Sequence, residues 1–168
     1  VYIEGITKIT PLDVEFAEHF GYRIKLLAIS KNHGDKIEAR VHPTMIPFGN
    51  LLSNVSGTVN AVMVSGDAVG DIMLYGRGAG MMPTASAVIS DVVDIARNLM
   101  AETTCRIPAL AFQRDHIKNI RIMSMDEIVT HYYFRFAALD SPGVLSKISG
   151  VLGNHDISIQ SVQQKIHI

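Results

Sequence analysis

The sequence holds a single cysteine, Cys105, so no disulfide can form within the chain. A reducing compartment, the cytoplasm, is the expected home, and a structural thiol is a simpler reading of Cys105 than a nucleophile. Positive charge is not in excess: 15 Lys and Arg face 16 Asp and Glu, for a net charge of -1. Without a basic field to attract a phosphate backbone, nucleic acid is not an expected partner. No apolar run approaches the ~18–20 residues needed to span a bilayer, so no membrane-spanning helix is expected. The opening VYIEGITKI has no basic n-region and does not read as a signal peptide. Val1 in place of a methionine implies that something precedes it in the native protein. The seven histidines show no H-x3-H, H-E-x-x-H or Cys/His spacing, so no metal site is expected. Neither G-x-S-x-G nor a lysine in a Schiff-base setting is present.

What remains is a chain of 168 residues, 48% hydrophobic and 18% charged, which suits one packed domain or two small ones. Apolar residues at helical spacing over 12–20, after Pro11 and before Gly21, predict a short helix. Residues 23–30 and 37–42 read as two strands around the polar turn Asn32-His33-Gly34-Asp35. Residues 58–64 and 71–75 read as a second hairpin turned by Ser65-Gly66-Asp67. Both hairpins are expected to make one mainly antiparallel sheet. Ala85, Val88, Ile89, Val92, Ile95, Ala96 and Leu99 then form the clearest amphipathic helix in the chain, with Pro83 in its first turn. Residues 99–130 read as a connector. Residues 131–139 form an expected strand, Asp140-Ser141-Pro142-Gly143 a turn, 144–152 a helix, and 157–162 a second strand.

Two turns have the build for chemistry. Gly76-Arg77-Gly78-Ala79-Gly80 lies between a strand and a helix, where bare backbone lets a ligand approach and the helix start favours negative charge. Its spacing is G-x-G-x-G, not the dinucleotide fingerprint G-x-G-x-x-G, and no acidic residue follows at the ribose-contact distance. A structural turn and a ligand-contacting turn both stay open. The turn at Asp140, Pro142 and Gly143 leaves helical amides free to receive a small carboxylate, or is a plain strand-to-helix turn capped by Asp140. Asn54-Val55-Ser56-Gly57 and Asn60 admit either a substrate contact or turn chemistry. On residues alone the chain is an α+β protein and is not identified as an enzyme.

A resemblance adds more. Tyr75-Gly76-Arg77-Gly78-Ala79-Gly80 followed by Pro83-Thr84-Ala85-Ser86-Ala87-Val88 closely resembles homoserine dehydrogenases. Tyr2-Ile3-Glu4-Gly5-Ile6, Gly21-Tyr22-Arg23-Ile24-Lys25-Leu26-Leu27-Ala28, Arg40-Val41-His42-Pro43-Thr44 and Asn54-Val55-Ser56-Gly57 with Asn60 match in family order. Residues 132–162, with D-x-P-G-V-L as Asp140-Ser141-Pro142-Gly143-Val144-Leu145, resemble an ACT domain. The resemblance implies a chain in three parts. Residues 1–98 are the C-terminal part of the catalytic and dimerisation domain, 99–130 the connector, and 131–168 a partial ferredoxin-like βαβ unit of the regulatory domain. It implies NAD(P)-dependent interconversion of aspartate 4-semialdehyde and homoserine, on the route to threonine, isoleucine and methionine, by a dimer or tetramer. Gly80, with Gly78, is the implied contact to NADP or NAD. Asp140, Pro142, Gly143, Asn154 and Asp156 are the implied regulatory positions, with threonine the expected effector. The family's Rossmann domain and catalytic lysine have no counterpart here, so no catalytic residue is assigned and this chain alone is expected to be inactive. The competing expectation is a non-catalytic module for amino-acid sensing or dimerisation.

Overall fold

The structure is a computed structural model that describes residues 1–103, 112 and 114–164. Cys105, Pro108 and part of the expected connector lie outside the described residues.

Helix α1 (Pro11–His19) starts where Thr10, in extended backbone, caps it and Pro11 fills the first turn. Asp13 completes a capping box with Thr10. The helix ends as Gly21 enters the left-handed region at φ 83° and its N–H donates to the Glu18 carbonyl over 2.9 Å.

β2 (Tyr22–Asn32) and β3 (Lys36–Pro47) follow. The Asn32 side chain accepts from the Gly34 N–H over 2.8 Å, and the His33 N–H donates to the Lys36 carbonyl over 2.9 Å. So short a link makes the two strands antiparallel. β3 continues past the expected end at His42 because Pro43 lacks only a donor and does not break the extended backbone. β4 (Val59–Gly66) and β5 (Gly70–Arg77) form the second hairpin, with Asn60 opposite Gly76 and Gly66 opposite Gly70.

The hairpins do not share a sheet among the described residues. β4 and β5 pair only with each other, while β3 also holds β1 (Tyr2–Ile3) and β6 (Arg121–Ile122), both in parallel. Two-residue strands carry no alternation to read, so these partners of β3 are not legible from residue pattern.

Helix α2 (Met81–Met100) and helix α3 (Val144–Asn154) form where expected. The flanks of α3 do not. Residues 131–139 and 157–162 join no ladder among the described residues, which corrects the expected strand–helix–strand. The backbone of the first flank is nonetheless extended. Tyr132, Phe134 and Phe136 stack at 6.0 and 6.1 Å between ring centroids, the spacing of alternate residues on one face of a strand. An extended segment becomes a strand only when a neighbour takes its N–H and C=O groups.

The chain divides into two compact units. One comprises residues 1–30, 38–47 and 123–168; the other, residues 31–37 and 48–122. In the first, Ala17, Ile46 and Ile128 are buried, as are Asp13 and the ion pair of Arg40 Nε with Glu38 Oε1 at 2.8 Å. In the second, buried Ser53 donates from Oγ to the Phe48 carbonyl over 3.1 Å.

Candidate functional site

The β4–β5 hairpin delivers the glycine turn to the start of α2. Gly76 stands opposite Asn60, one pair before the ladder ends at Arg77 and Val59. A Cβ built on Gly78 would stand 1.8 Å from Asn60 Nδ2, so the Asn60 carboxamide occupies the space that a side chain at 78 would need. Gly80 sits at φ 123°, a conformation that L side chains rarely adopt, and its carbonyl accepts from the Thr84 N–H over 3.1 Å. No side chain caps α2, and Pro83 has no N–H to offer, so Met81 and Met82 carry the leading amides at the positive end of the helix. Beside the turn lies a hollow of about 310 Å³ lined by Asn60, Val62, Leu74, Tyr75, Gly76 and Gly78. Asn60 thus joins the predicted glycines at one place. The arrangement can receive a flat group against bare backbone, with one carboxamide to orient it.

The regulatory positions fall at the two ends of α3. Gly143 is the N-terminal cap residue, at φ 87°, with no side-chain cap bond, so Asp140 does not cap this helix. Asn154 is the last helical residue, and Asp156 stands at φ 57° where the chain leaves the helix. At 1.5 Å rise per residue the two groups are roughly 15 Å apart along the axis. All of them are exposed. The structure therefore brings Asp140, Pro142 and Gly143 together, and Asn154 with Asp156, as separate groups.

A third cluster escaped the sequence reading. Asp13 is buried, and its two carboxylate oxygens face different ways. Oδ2 accepts from the Thr10 N–H at 2.8 Å and the Thr10 hydroxyl at 2.6 Å, within its own helix. Oδ1 meets Arg135 Nε at 2.7 Å and accepts from the Tyr133 hydroxyl at 3.1 Å. Burial alone pushes the Asp13 carboxyl up, but the Thr10 and Tyr133 hydrogen bonds and the Arg135 charge outweigh it, and the net shift is down. Tyr133 is pushed up to about 12, by burial first and then by its bond to Asp13. The readable signal was the capping box at Thr10 and Asp13; nothing local points to partners more than a hundred residues away.

Among the described residues, no group of His, Cys, Asp and Glu is placed to hold a metal, and no helix is long and apolar enough to cross a membrane.

Comparison with known proteins places these features in a family. Residues 1–93 match the family model for homoserine dehydrogenase, and residues 132–168 match the ACT domain. A homoserine dehydrogenase of Neisseria gonorrhoeae is 49% identical over 164 residues, covering 98% of this chain and 38% of that protein. One from Pseudomonas aeruginosa is 46% identical, with the same coverage of both chains. The crystal structure of a homoserine dehydrogenase from Thiobacillus denitrificans superposes with a TM-score of 0.82 at 47% identity, over 96% of this chain and 37% of that one. The chain thus spans about 38% of the length of the curated relatives it matches. By its family-model match and by these relatives, the chain belongs to the homoserine dehydrogenase family.

Proposed function

We propose that this chain works as part of a cytoplasmic, oligomeric homoserine dehydrogenase that interconverts aspartate 4-semialdehyde and homoserine, using NADP or NAD. One observation carries the site assignment: Gly76, Gly78 and Gly80 leave bare backbone between the end of β5 and the uncapped start of α2, with Asn60 beside it. A planar ring with a carboxamide fits such a place, because backbone N–H and C=O groups can meet it without a side chain intervening. When bound in the complete enzyme, the dinucleotide supplies or takes up the hydride. This chain's contribution is to bind and orient. Gly80 holds the turn open, Gly78 leaves room for Asn60, and the start of α2 presents amides with no side chain across them. No lysine here matches the family's proton donor, so the chain by itself is inactive under this reading.

The 131–168 segment serves as the regulatory part, with threonine as its effector at Asp140, Pro142 and Gly143 and at Asn154 and Asp156. Because these groups lie at opposite ends of α3, one bound amino acid touches both only if a second unit brings its own α3 alongside. The exposed aromatic face of Tyr132, Phe134 and Phe136 supports such pairing.

Gly80→Val in the complete enzyme is expected to raise the cofactor KM roughly tenfold, in line with a loss of ~1.4 kcal/mol of binding. An unchanged KM in a variant that keeps its circular dichroism and melting temperature removes Gly80 from the site. The fold control is needed because Gly80 at φ 123° strains any side chain placed there.

A further inference from the structure

Helix α1 lies within the residues matched to homoserine dehydrogenase, yet both of its ends are held by residues of the ACT-matched segment. At its N-terminal end, Asp13 takes Arg135 and Tyr133, from the extended stretch before α3. At its C-terminal end, His19 Nδ1 accepts from the Gln163 amide at 2.7 Å, from the stretch after α3. These bonds join positions 120, 122 and 144 residues apart, all inside one compact unit.

We infer that α1 is the seat of the regulatory segment: a helix latched at both ends, through which movement on either side of α3 is passed into the catalytic part. The division of labour at Asp13 is the device. One oxygen holds the helix cap on Thr10 while the other holds Arg135 and Tyr133. Arg135 also reaches Oδ2 through Nη2 at 3.5 Å, so the guanidinium spans both oxygens and ties the cap to the latch. The residues alternate to match. Tyr133 and Arg135 face α1, and Tyr132, Phe134 and Phe136 form the opposite, exposed face of the same extended stretch. A shift of that stretch, which leads directly into the turn at 140–143, pulls on a buried carboxylate that also starts α1.

The regulatory half of this inference rests on the ACT reading above; the latch does not. The test is hydrogen exchange by mass spectrometry on the intact polypeptide, with and without L-threonine, beside calorimetric titration of L-threonine. Tyr133→Phe removes one hydroxyl and Arg135→Met one charge, and both leave the Thr10–Asp13 cap in place. Without L-threonine, each is expected to speed exchange at least fivefold in 11–20, with 81–100 unchanged within twofold. Gln163→Ala is expected to speed only the last turn of α1. If 11–20 keeps its wild-type rate in both variants, α1 is not the seat. With L-threonine bound, protection in the wild type is expected to extend from 131–143 into 11–20, and in Arg135→Met to stop at 131–143. Protection that never reaches 11–20 in the wild type overturns the transmission. If calorimetry shows no binding, the threonine reading fails by itself, and the exchange rates measured without it still decide the latch.

Discussion

α1 and α2 are both amphipathic helices by sequence, and the structure treats them in opposite ways. α2 has 20 residues and the strongest apolar stripe in the chain, yet none of its residues is buried; Val88, Val92 and Leu99 stand 55%, 55% and 70% exposed. α1 has nine residues and a weak stripe, yet it buries Ala17 completely and Asp13 almost so. Periodicity says which face of a helix prefers burial; what arrives to cover that face is decided by the rest of the fold. α1 receives an arginine, a tyrosine and a glutamine from far along the chain, and a polar side chain becomes its most tightly bound point.

The largest expected effect bears on that contrast. Asp13→Ala removes the Asp13 half of the α1 capping box and leaves Arg135 and Tyr133 without their acceptor, at a cost of about 3 kcal/mol. Asp94→Ala on α2 removes an exposed bond, in which Asn98 donates to Asp94 over 3.3 Å, and is expected to stay within about 0.5 kcal/mol. Urea denaturation of both variants checks the difference, and equal losses would dissolve the distinction between the helices.

A pH series sharpens it. Tyr133 ionises near 12 in the folded chain against an ordinary 10.0, so the unfolded chain gives up this proton first. The stabilisation from Tyr133 is therefore full below pH 10 and lost as the pH rises toward 12. On the acid side, the Asp13 carboxyl is held below its ordinary 3.8, so its contribution is full above that value and lost as the pH falls below it. Thermal melts of wild type and Tyr133→Phe are expected to differ by a constant between about pH 4 and pH 10 and to converge between pH 10 and 12. A gap that persists undiminished at pH 12 shows that the hydroxyl does not bond to Asp13.

The smallest effect lies on the exposed stripe. Val92→Asn in this 168-residue chain is expected to change stability by less than about 0.5 kcal/mol, because an apolar side chain already in water loses little when made polar. A loss above 2 kcal/mol in the same denaturation series would mean that α2 is covered.

Most of the local structure could be read from residue pattern. Thr10 and Pro11 before 12–20, the turn at Asn32-His33-Gly34, and the glycines at 76–80 each dictate backbone within a few residues, so hairpins and helices lie within a few positions of expectation. Two kinds of feature could not be read. β1 and β6 are two residues each, too short to show a period. The alternation at 131–139 was visible, but not that Tyr133 and Arg135 would be directed at Asp13 while the aromatics stay exposed. That choice depends on an acceptor 120 residues away. At the glycine turn, the spacing located the bare backbone, and the strand register supplied Asn60, which sequence alone left between substrate contact and turn residue.

The central claim is that this chain supplies a binding turn and a sensor to an enzyme whose proton donor lies elsewhere. It is tested most directly by following NADPH oxidation with aspartate 4-semialdehyde, for the complete polypeptide and for the 168-residue chain side by side. The predicted result is turnover by the complete polypeptide and none by the chain alone. Turnover by the chain alone, or its absence from the complete polypeptide, would contradict the account.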